Sequence, residues 1–340
     1  MLGNPPLLTV AVPTYNRLGC LRLLLSAIGP EVQRLHAEGT VELLVCDNAS
    51  TDGTTEFLEG LAIAGWLRVL RSPFNVGADA NFIRCLTEAR GRHVWMIGDD
   101  DLPLPGVLER VAAFLARRRC DLLYLPARWH SGDLAECVPA PSPVMEPQPV
   151  NAGELAIRAN AYVTFLSSWV LDRERYLSLA DARPTRFEGS FLAQLEWHLA
   201  LLAAGGPLYA APEAWLLARA GHGGGYALFE TFVQQYHRII GERLARAPSI
   251  RDFLQEHILR GYLPGLVWGI RLGKAGAFRL ADWQAVEAMM ARVWPDRPRQ
   301  RRRITWIASW PQPLARLVMA TAWLDTRAWT RRLRTREKWR

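Results

Sequence analysis

Residues 7–17 read LLTVAVPTYNR, residues 41–54 read VELLVCDNASTDGT and residues 93–101 read HVWMIGDDD. Each is a short apolar run that stops abruptly in polar residues. A run that is apolar throughout, rather than at alternate positions, belongs to a strand covered on both faces, as in a parallel sheet. Outward from these runs, Leu18, Leu21, Leu25 and Ile28 recur at helical spacing. Residues 54–61, 81–89 and 107–117 repeat the helical pattern, and residues 67–70 and 122–125 give two more short strands. Strands alternating with amphipathic helices predict an α/β fold, with βαβ units around a buried, mostly parallel sheet. Ligands of such sheets gather at the carboxyl ends of the strands. PTYNR (13–17), CDNASTDGT (46–54) and GDDD (98–101) all fall at strand ends, so the three loops are expected to converge on one cleft.

The chain has 340 residues, 50% of them hydrophobic and 22% charged, with 14 Trp. That composition supports a substantial core and excludes a disordered chain. Five Cys, at 20, 46, 85, 120 and 137, form no CxxC pair. A disulfide framework or zinc knuckle is therefore not expected, and a reducing cytoplasm fits. No basic segment with a cleavage site precedes the first strand, so no signal peptide is expected. No apolar run reaches the ~18 residues of a membrane span.

Residues 126–149 are Pro-rich and predict a long irregular connection. Residues 151–204 return to mixed structure with a helix over 190–202, and beyond AGHGGG (220–225) the pattern is helical. This divides the chain into 1–125, 126–225 and 226–340. The net charge of +8 is concentrated at the end: residues 297–340 hold 13 Lys and Arg against two acids, or +11, leaving −3 elsewhere. Six Trp (294, 306, 310, 323, 329, 339) lie among Arg clusters at 301–303 and 331–336. Trp mixed with Arg on short helices suits the surface of an anionic membrane. The competing reading is a helical bundle with Trp packed inward and Arg solvated. No nucleic-acid-binding module is discernible, so nucleic acid is not an expected partner.

Three adjacent carboxylates at a strand end need cationic compensation. A divalent ion on phosphate oxygens supplies it, and hard oxygen ligands suit Mn²⁺ or Mg²⁺. The alternative is an exposed turn capping the helix after Pro105. No GxGxxG follows a strand and no GK[ST] is present, which disfavours a dinucleotide-binding dehydrogenase and a P-loop ATPase.

TVAVPTYNR, LLVCDNASTDGT, FNVGADANF (74–82) and VWMIGDDD, in this order and spacing, resemble the successive signatures of family 2 glycosyltransferases of the GT-A fold, across residues 7–125. GDDD is more similar to the abequosyltransferase-like branch, which builds bacterial surface polysaccharide. The resemblance implies a Rossmann-like GT-A sheet with a C-terminal helical region. It also implies transfer of a sugar from a nucleoside-diphosphate sugar to a glycan or lipid-linked oligosaccharide by metal-assisted inversion, at the inner face of the cell membrane. By the same resemblance Pro13, Thr14, Tyr15, Arg17, Asp47, Gly77, Asn81, Asp99 and Asp100 would bind the nucleotide-sugar, and Asp99 and Asp101 the metal. Asp79–Ala80 departs from the Ala-Arg pair of many relatives beside the sugar. The acid expected as catalytic base falls near Gln194 or Leu195. Glu196 is the candidate base, with Glu188 and His198 as neighbours. Tyr162, Ser167, Ser168 and Trp169, on a strand-like run, would face the acceptor, and His222 would sit near the diphosphate. A nucleotidyltransferase, or a membrane-recruited nucleotide-sugar binder without catalysis, are the alternatives.

Overall fold

The computed structural model describes residues 5–130, 132, 145–220, 227–274 and 283–334. In chain order the first part runs β1 (Leu8–Thr14), α1 (Leu18–Ala37), β2 (Val41–Asp47), α2 (Thr54–Ala62), β3 (Leu67–Arg71), α3 (Ala78–Glu88), β4 (His93–Met96), β5 (Leu102–Pro103), α4 (Val107–Arg117) and β6 (Leu122–Tyr124). The apolar runs of the sequence are these strands, and β1 and β2 are buried at every position. There follow β7 (Ala127–His130), β8 (Gln148–Val150), α5 (Ala152–Ala159), β9 (Trp169–Asp172), α6 (Arg173–Leu177), α7 (Leu195–Ala203), β10 (Leu208–Ala210) and β11 (Leu216–Arg219).

The main sheet has the order β3-β2-β1-β4-β9-β6-β10-β8. β1 lies parallel to β2 and β4, and β2 to β3. Thr14 is in register with Asp47, and Ala11 with Met96, so the polar residues that follow these strands emerge along one edge. β9 enters antiparallel between β4 and β6, β10 returns parallel to β6, and β8 closes the far edge antiparallel to β10. Leu21, Leu24, Leu25 and Ile28 of α1 pack with Val10, Val12, Leu43 and Val45 of the strands and with Val107 and Val111 of α4. A small second sheet, β5-β11-β7, stands beside the end of β4.

Three expectations need correction. The connection over 126–149 contributes β7 and β8 to the two sheets, because the distant strands β11 and β10 supply the pairing that its composition does not predict. The helix expected from residue 190 starts at Leu195, since Phe191 adopts a left-handed φ of 61° that no helix accommodates. The run around 162–169 is two 3₁₀ turns, Asn160–Thr164 and Leu166–Ser168, and becomes a strand only at Trp169.

The residues group into two compact units, Met1–Val150 with Val163–Arg219, and Asn151–Tyr162 with Ala220–Arg340. The second contains α5 and the helices α8 (Tyr236–Arg243), α9 (Pro248–His257), α10 (Leu263–Arg271), α11 (Trp283–Val293), α12 (Pro298–Ser309) and α13 (Gln312–Arg334), with π-helical turns at Glu230–Gln235 and Ile258–Tyr262. Its tryptophans divide. Trp294 is buried, and Trp329 stacks on Phe253 at 5.2 Å. Trp306 and Trp310 stack on each other at 4.8 Å and face outward with Trp323, Leu314, Leu317 and Leu324, while Ala315 and Ala322 of α13 turn inward. Among the described residues no helix is long and apolar enough to cross a membrane. Trp339 and His222 lie outside the described residues.

Gly91 precedes β4 where only a glycine fits. A Cβ there would lie 2.5 Å from the Thr9 backbone nitrogen and 2.8 Å from the Leu8 carbonyl carbon. Because both atoms belong to the central strand, Gly91→Ala is expected to cost more than about 2 kcal/mol, read as a lowered urea midpoint. An unchanged midpoint would contradict this packing.

Candidate active site at the strand ends

The first two strand-end loops are tied together before any ligand arrives. Helix α1 has no capping side chain of its own at Arg17. Its Leu18 N–H instead donates to Asp52 Oδ2 at 3.0 Å, and Asp52 Oδ1 accepts from the Thr54 hydroxyl at 2.6 Å. One carboxylate thus serves the start of both helices, as anions do at helix N-termini. Asn16 N–H donates to Ser50 Oγ at 2.9 Å, and Thr51 N–H to Asn16 Oδ1 at 2.7 Å. Asp47 is buried at the end of β2, where its oxygens accept from Ser50 N–H (3.0 Å) and the Thr55 hydroxyl (2.9 Å). The expected base-binding acid therefore shapes its own loop.

A third loop joins them through asparagines. Asn48 Nδ2 donates to Asn75 Oδ1 (2.8 Å) and to the Gly77 carbonyl (3.2 Å), and its Oδ1 accepts from Val76 N–H (2.9 Å). Asn81 Nδ2 donates to the Cys46 carbonyl at 3.0 Å. Asn81 and Gly77 thus lie at the same edge as the first two loops. Asn48 and Asn75 were missed, although both lie inside stretches already singled out. Pro13 and Thr14 are the last residues of β1, and Tyr15 projects, 42% exposed, beside them.

The acids are the centre of the arrangement. Asp99 and Asp101 are each 4% exposed. Asp99 Oδ2 accepts from the Thr14 hydroxyl at 2.8 Å, and Oδ1 from Arg17 Nη1 at 3.0 Å. The same Arg17 nitrogen reaches Asp100 Oδ2 at 2.9 Å. The first loop therefore supplies the cation that compensates two of the three carboxylates. Among the described residues Asp101 has no such partner. The Ser167 hydroxyl donates to its Oδ2 at 2.5 Å and Arg219 N–H to its Oδ1 at 3.3 Å. Ser167 Oγ in turn accepts from Gly98 N–H at 2.9 Å. Burial pushes the Asp99 carboxyl up to about 6, Arg17 opposing it, and pushes Asp101 up to about 8, with Asp100 adding to the effect. Arg219, at the end of β11, carried no sequence signal, because it reaches Asp101 across 118 residues of chain.

Among the remaining expectations, Ser168 is buried and Trp169 packs on Tyr124 at 4.9 Å and on His198 at 5.1 Å. His198 is neutral, its pKa pushed down to about 3 by burial. Tyr162 belongs to the helical unit. Asp79 is buried and accepts from the backbone N–H groups of Phe191 (2.8 Å) and Ala193 (3.3 Å), which fixes the strained turn before α7. Glu196 has 0% exposure; its carboxylate pairs with Arg186 at 3.1 Å and accepts from the Tyr176 hydroxyl and Arg183 N–H. The expected catalytic base is thus enclosed within the fold by an ion pair and two hydrogen bonds.

Residues 9–174 match the family described as Glycosyl transferase family 2. That stretch is a family 2 glycosyltransferase domain. The chain is similar to the abequosyltransferase RfbV of Salmonella typhimurium, 33% identical over 97 residues that span 28% of each protein. It is also similar to EpsE of Bacillus subtilis, 26% identical over 199 residues, or 56% of this chain and 70% of that one. The RfbV match thus covers little more than a quarter of that relative. Among solved structures, TarS 1–349 of S. aureus aligns with a TM-score of 0.60 and 17% identity over 96% of this chain and 91% of that one. The mannosyltransferase PcManGT of Pyrobaculum calidifontis, solved with GDP-Man and Mn²⁺, aligns at 0.50 and 18% over 97% and 85%. These likenesses identify the fold as the GT-A type.

Two outcomes test the site. Raising pH from the ordinary Asp value of 3.8 towards about 8 ionises Asp101 in the unfolded chain before the folded one. The unfolded state therefore releases the proton first, and its contribution to stability is lost as pH rises through that window. Urea unfolding of the ligand-free protein should show this decline, and Asp101→Asn should flatten it; equal slopes would contradict the burial of this acid. Glu196→Ala removes the buried carboxylate that pairs with Arg186 and should destabilise the fold by about 3 kcal/mol. A variant that keeps its thermal midpoint yet loses all turnover would restore Glu196 as a base.

Proposed function

We propose that this chain transfers a sugar from a nucleoside-diphosphate sugar to a glycan or lipid-linked oligosaccharide, in the synthesis of a bacterial surface polysaccharide such as O-antigen, capsule or exopolysaccharide. One observation carries the reading: a strand-end edge where Thr14 and Arg17 from one loop bind Asp99 and Asp100 from another, beside the uncompensated Asp101. The family match supports it, as do the nucleotide-sugars held in the similar structures, UDP-GlcNAc in TarS and GDP-Man in PcManGT.

Within this reading Tyr15 offers its exposed ring to the nucleotide base, and the linked loops of Asp47, Asn48, Gly77 and Asn81 form the floor beneath it. Arg17 holds Asp99 and Asp100 in place and lends positive charge to the diphosphate side. The donor set fits a divalent ion, since Asp101 is a hard oxygen ligand with no cation against it. Asp99 and Asp101 would hold Mn²⁺ or Mg²⁺, and such an ion stabilises charge on a departing diphosphate. Buried, pre-positioned groups serve this chemistry because they need no rearrangement as charge develops. Inversion at the anomeric carbon is the outcome proposed.

The outward face of α12 and α13 supports association with an anionic membrane. Trp306, Trp310, Leu314, Leu317 (64% exposed) and Leu324 (59%) form an apolar surface beside exposed Arg302 and Arg316. Rings at headgroup depth with arginines on lipid phosphates match the physics of interfacial helices. A cytoplasmic protein held on the inner face of the cell membrane follows.

The test is a thermal-shift series with UDP, GDP, CDP and dTDP, each with and without Mn²⁺, on the wild type and Asp101→Ala. A site filled to ~100 Kd gains ~2.7 kcal/mol of apparent stability. One diphosphate should stabilise in a metal-dependent way that Asp101→Ala abolishes, and the sugar nucleotide of that base should be turned over. Binding without turnover on any acceptor would favour the non-catalytic binder, and no binding would overturn the reading.

A further inference from the structure

The helical unit contains a cavity of about 600 Å³ that the transfer reaction does not use. Arg158 of α5, Arg260 of the π-helical turn, and Arg327 and Arg331 of α13 all line it, with Tyr162 and Trp323. None of the described residues in its wall is an Asp or a Glu. Four guanidinium groups around one cavity repel one another unless something anionic lies between them.

The arginines are held in two ways. Arg158 pairs with Glu154 at 2.6 Å, and Arg260 with Glu256 at 2.5 Å and Asp325 at 3.0 Å; these carboxylates stand outside the wall. Arg260 also lies over the Trp329 ring at 5.3 Å. These contacts fix the two guanidinium groups without filling the cavity. Arg327 stacks on the Trp323 ring at 4.2 Å, and neither it nor Arg331 has a carboxylate partner among the described residues. A π-stacked guanidinium keeps its N–H edge available for a planar array of oxygens.

The backbone has adapted to the same place. The turn Ile258–Tyr262 is π-helical and carries Arg260 and Gly261 into the wall. Such turns are rare and recur at functional sites. A Cβ on Gly261 would come within 3.2 Å of Thr326 Cγ2 and 3.3 Å of His257 Cε1, so the glycine keeps this part of the wall open.

We propose that this cavity binds a phosphate ester, the class of anion whose oxygens accept paired hydrogen bonds from arginine. Two sources share that chemistry: the headgroup of a membrane phospholipid, and a soluble phosphate or diphosphate ester. The proposal concerns binding alone and stands whether or not the chain transfers sugar.

The experiment uses the full chain in EDTA at fixed ionic strength. Calorimetric titration with inorganic pyrophosphate is compared for the wild type, Arg327→Gln/Arg331→Gln, and the control Arg246→Gln/Arg292→Gln. The control removes the same charge from exposed positions that do not line the cavity. All four arginines are partly or fully exposed, and thermal melts verify that each variant is folded. Affinity should fall at least about tenfold in the cavity variant, the loss of one or two charge-assisted hydrogen bonds, and less than about twofold in the control. In parallel, the three proteins are floated with phosphatidylcholine vesicles with and without phosphatidic acid. Cavity-dependent flotation assigns a lipid headgroup, and pyrophosphate binding without it assigns a soluble ester. Absence of saturable pyrophosphate binding, or equal losses in both double variants, would overturn the proposal.

Discussion

Burying the outer two of three consecutive carboxylates at the end of a central strand is the constraint on which the site depends. Asp99 and Asp101 are almost inaccessible, and an uncompensated buried carboxylate is costly enough to take up a proton instead. Arg17 relieves that cost for Asp99 and Asp100 from a different loop, at 3.0 and 2.9 Å. Its position requires α1 to begin at Leu18, which Asp52 secures from the loop after β2. The parallel register of β1 with β2 and β4 brings these loops to a common edge. Sheet, cap and ion pair are thus consecutive requirements of one charge arrangement. Asp101, left without a cation, is the group to which a divalent ion and its phosphate ligand would matter most.

Much of this was legible in the sequence because it is local. Continuous apolar runs gave β1, β2, β4 and β6 nearly to the residue, and α4 was bounded correctly at Val107 and Arg117. The acids and their loops could be read as strand ends for the same reason. What escaped depends on distant partners. Ser167 was expected on a strand-like run facing the acceptor; it lies instead in a 3₁₀ turn, and its hydroxyl binds Asp101. β9 is a four-residue strand whose place between β4 and β6 no local pattern encodes. Arg219 and Asp79 act on residues more than 100 positions away. Glu196 was drawn to the site by its nearness to an expected slot, and Arg186, Tyr176 and Arg183 account for it instead.

The basic tail shows the limit of composition in another way. Membrane surface and helical bundle had been competing readings of one Trp- and Arg-rich segment. Its tryptophans divide: Trp294 and Trp329 pack inward, whereas Trp306, Trp310 and Trp323 stand outward among arginines. Composition cannot separate these sets, because the distinction is which way each ring turns in the folded unit. The cavity beside α13 likewise arises from arginines of three separate segments, α5, the π-helical turn and α13, that meet only in the folded unit.

The central claim is that the strand-end acids hold the diphosphate of a nucleotide through a divalent ion. Anomalous diffraction at the manganese edge, from crystals grown with Mn²⁺ and the stabilising nucleoside diphosphate, tests it most directly. The account predicts a manganese peak coordinated by Asp101, with the diphosphate on the same ion and the base beside Tyr15. A nucleotide bound elsewhere, or ordered at this edge with Arg17 alone and no manganese, would contradict it.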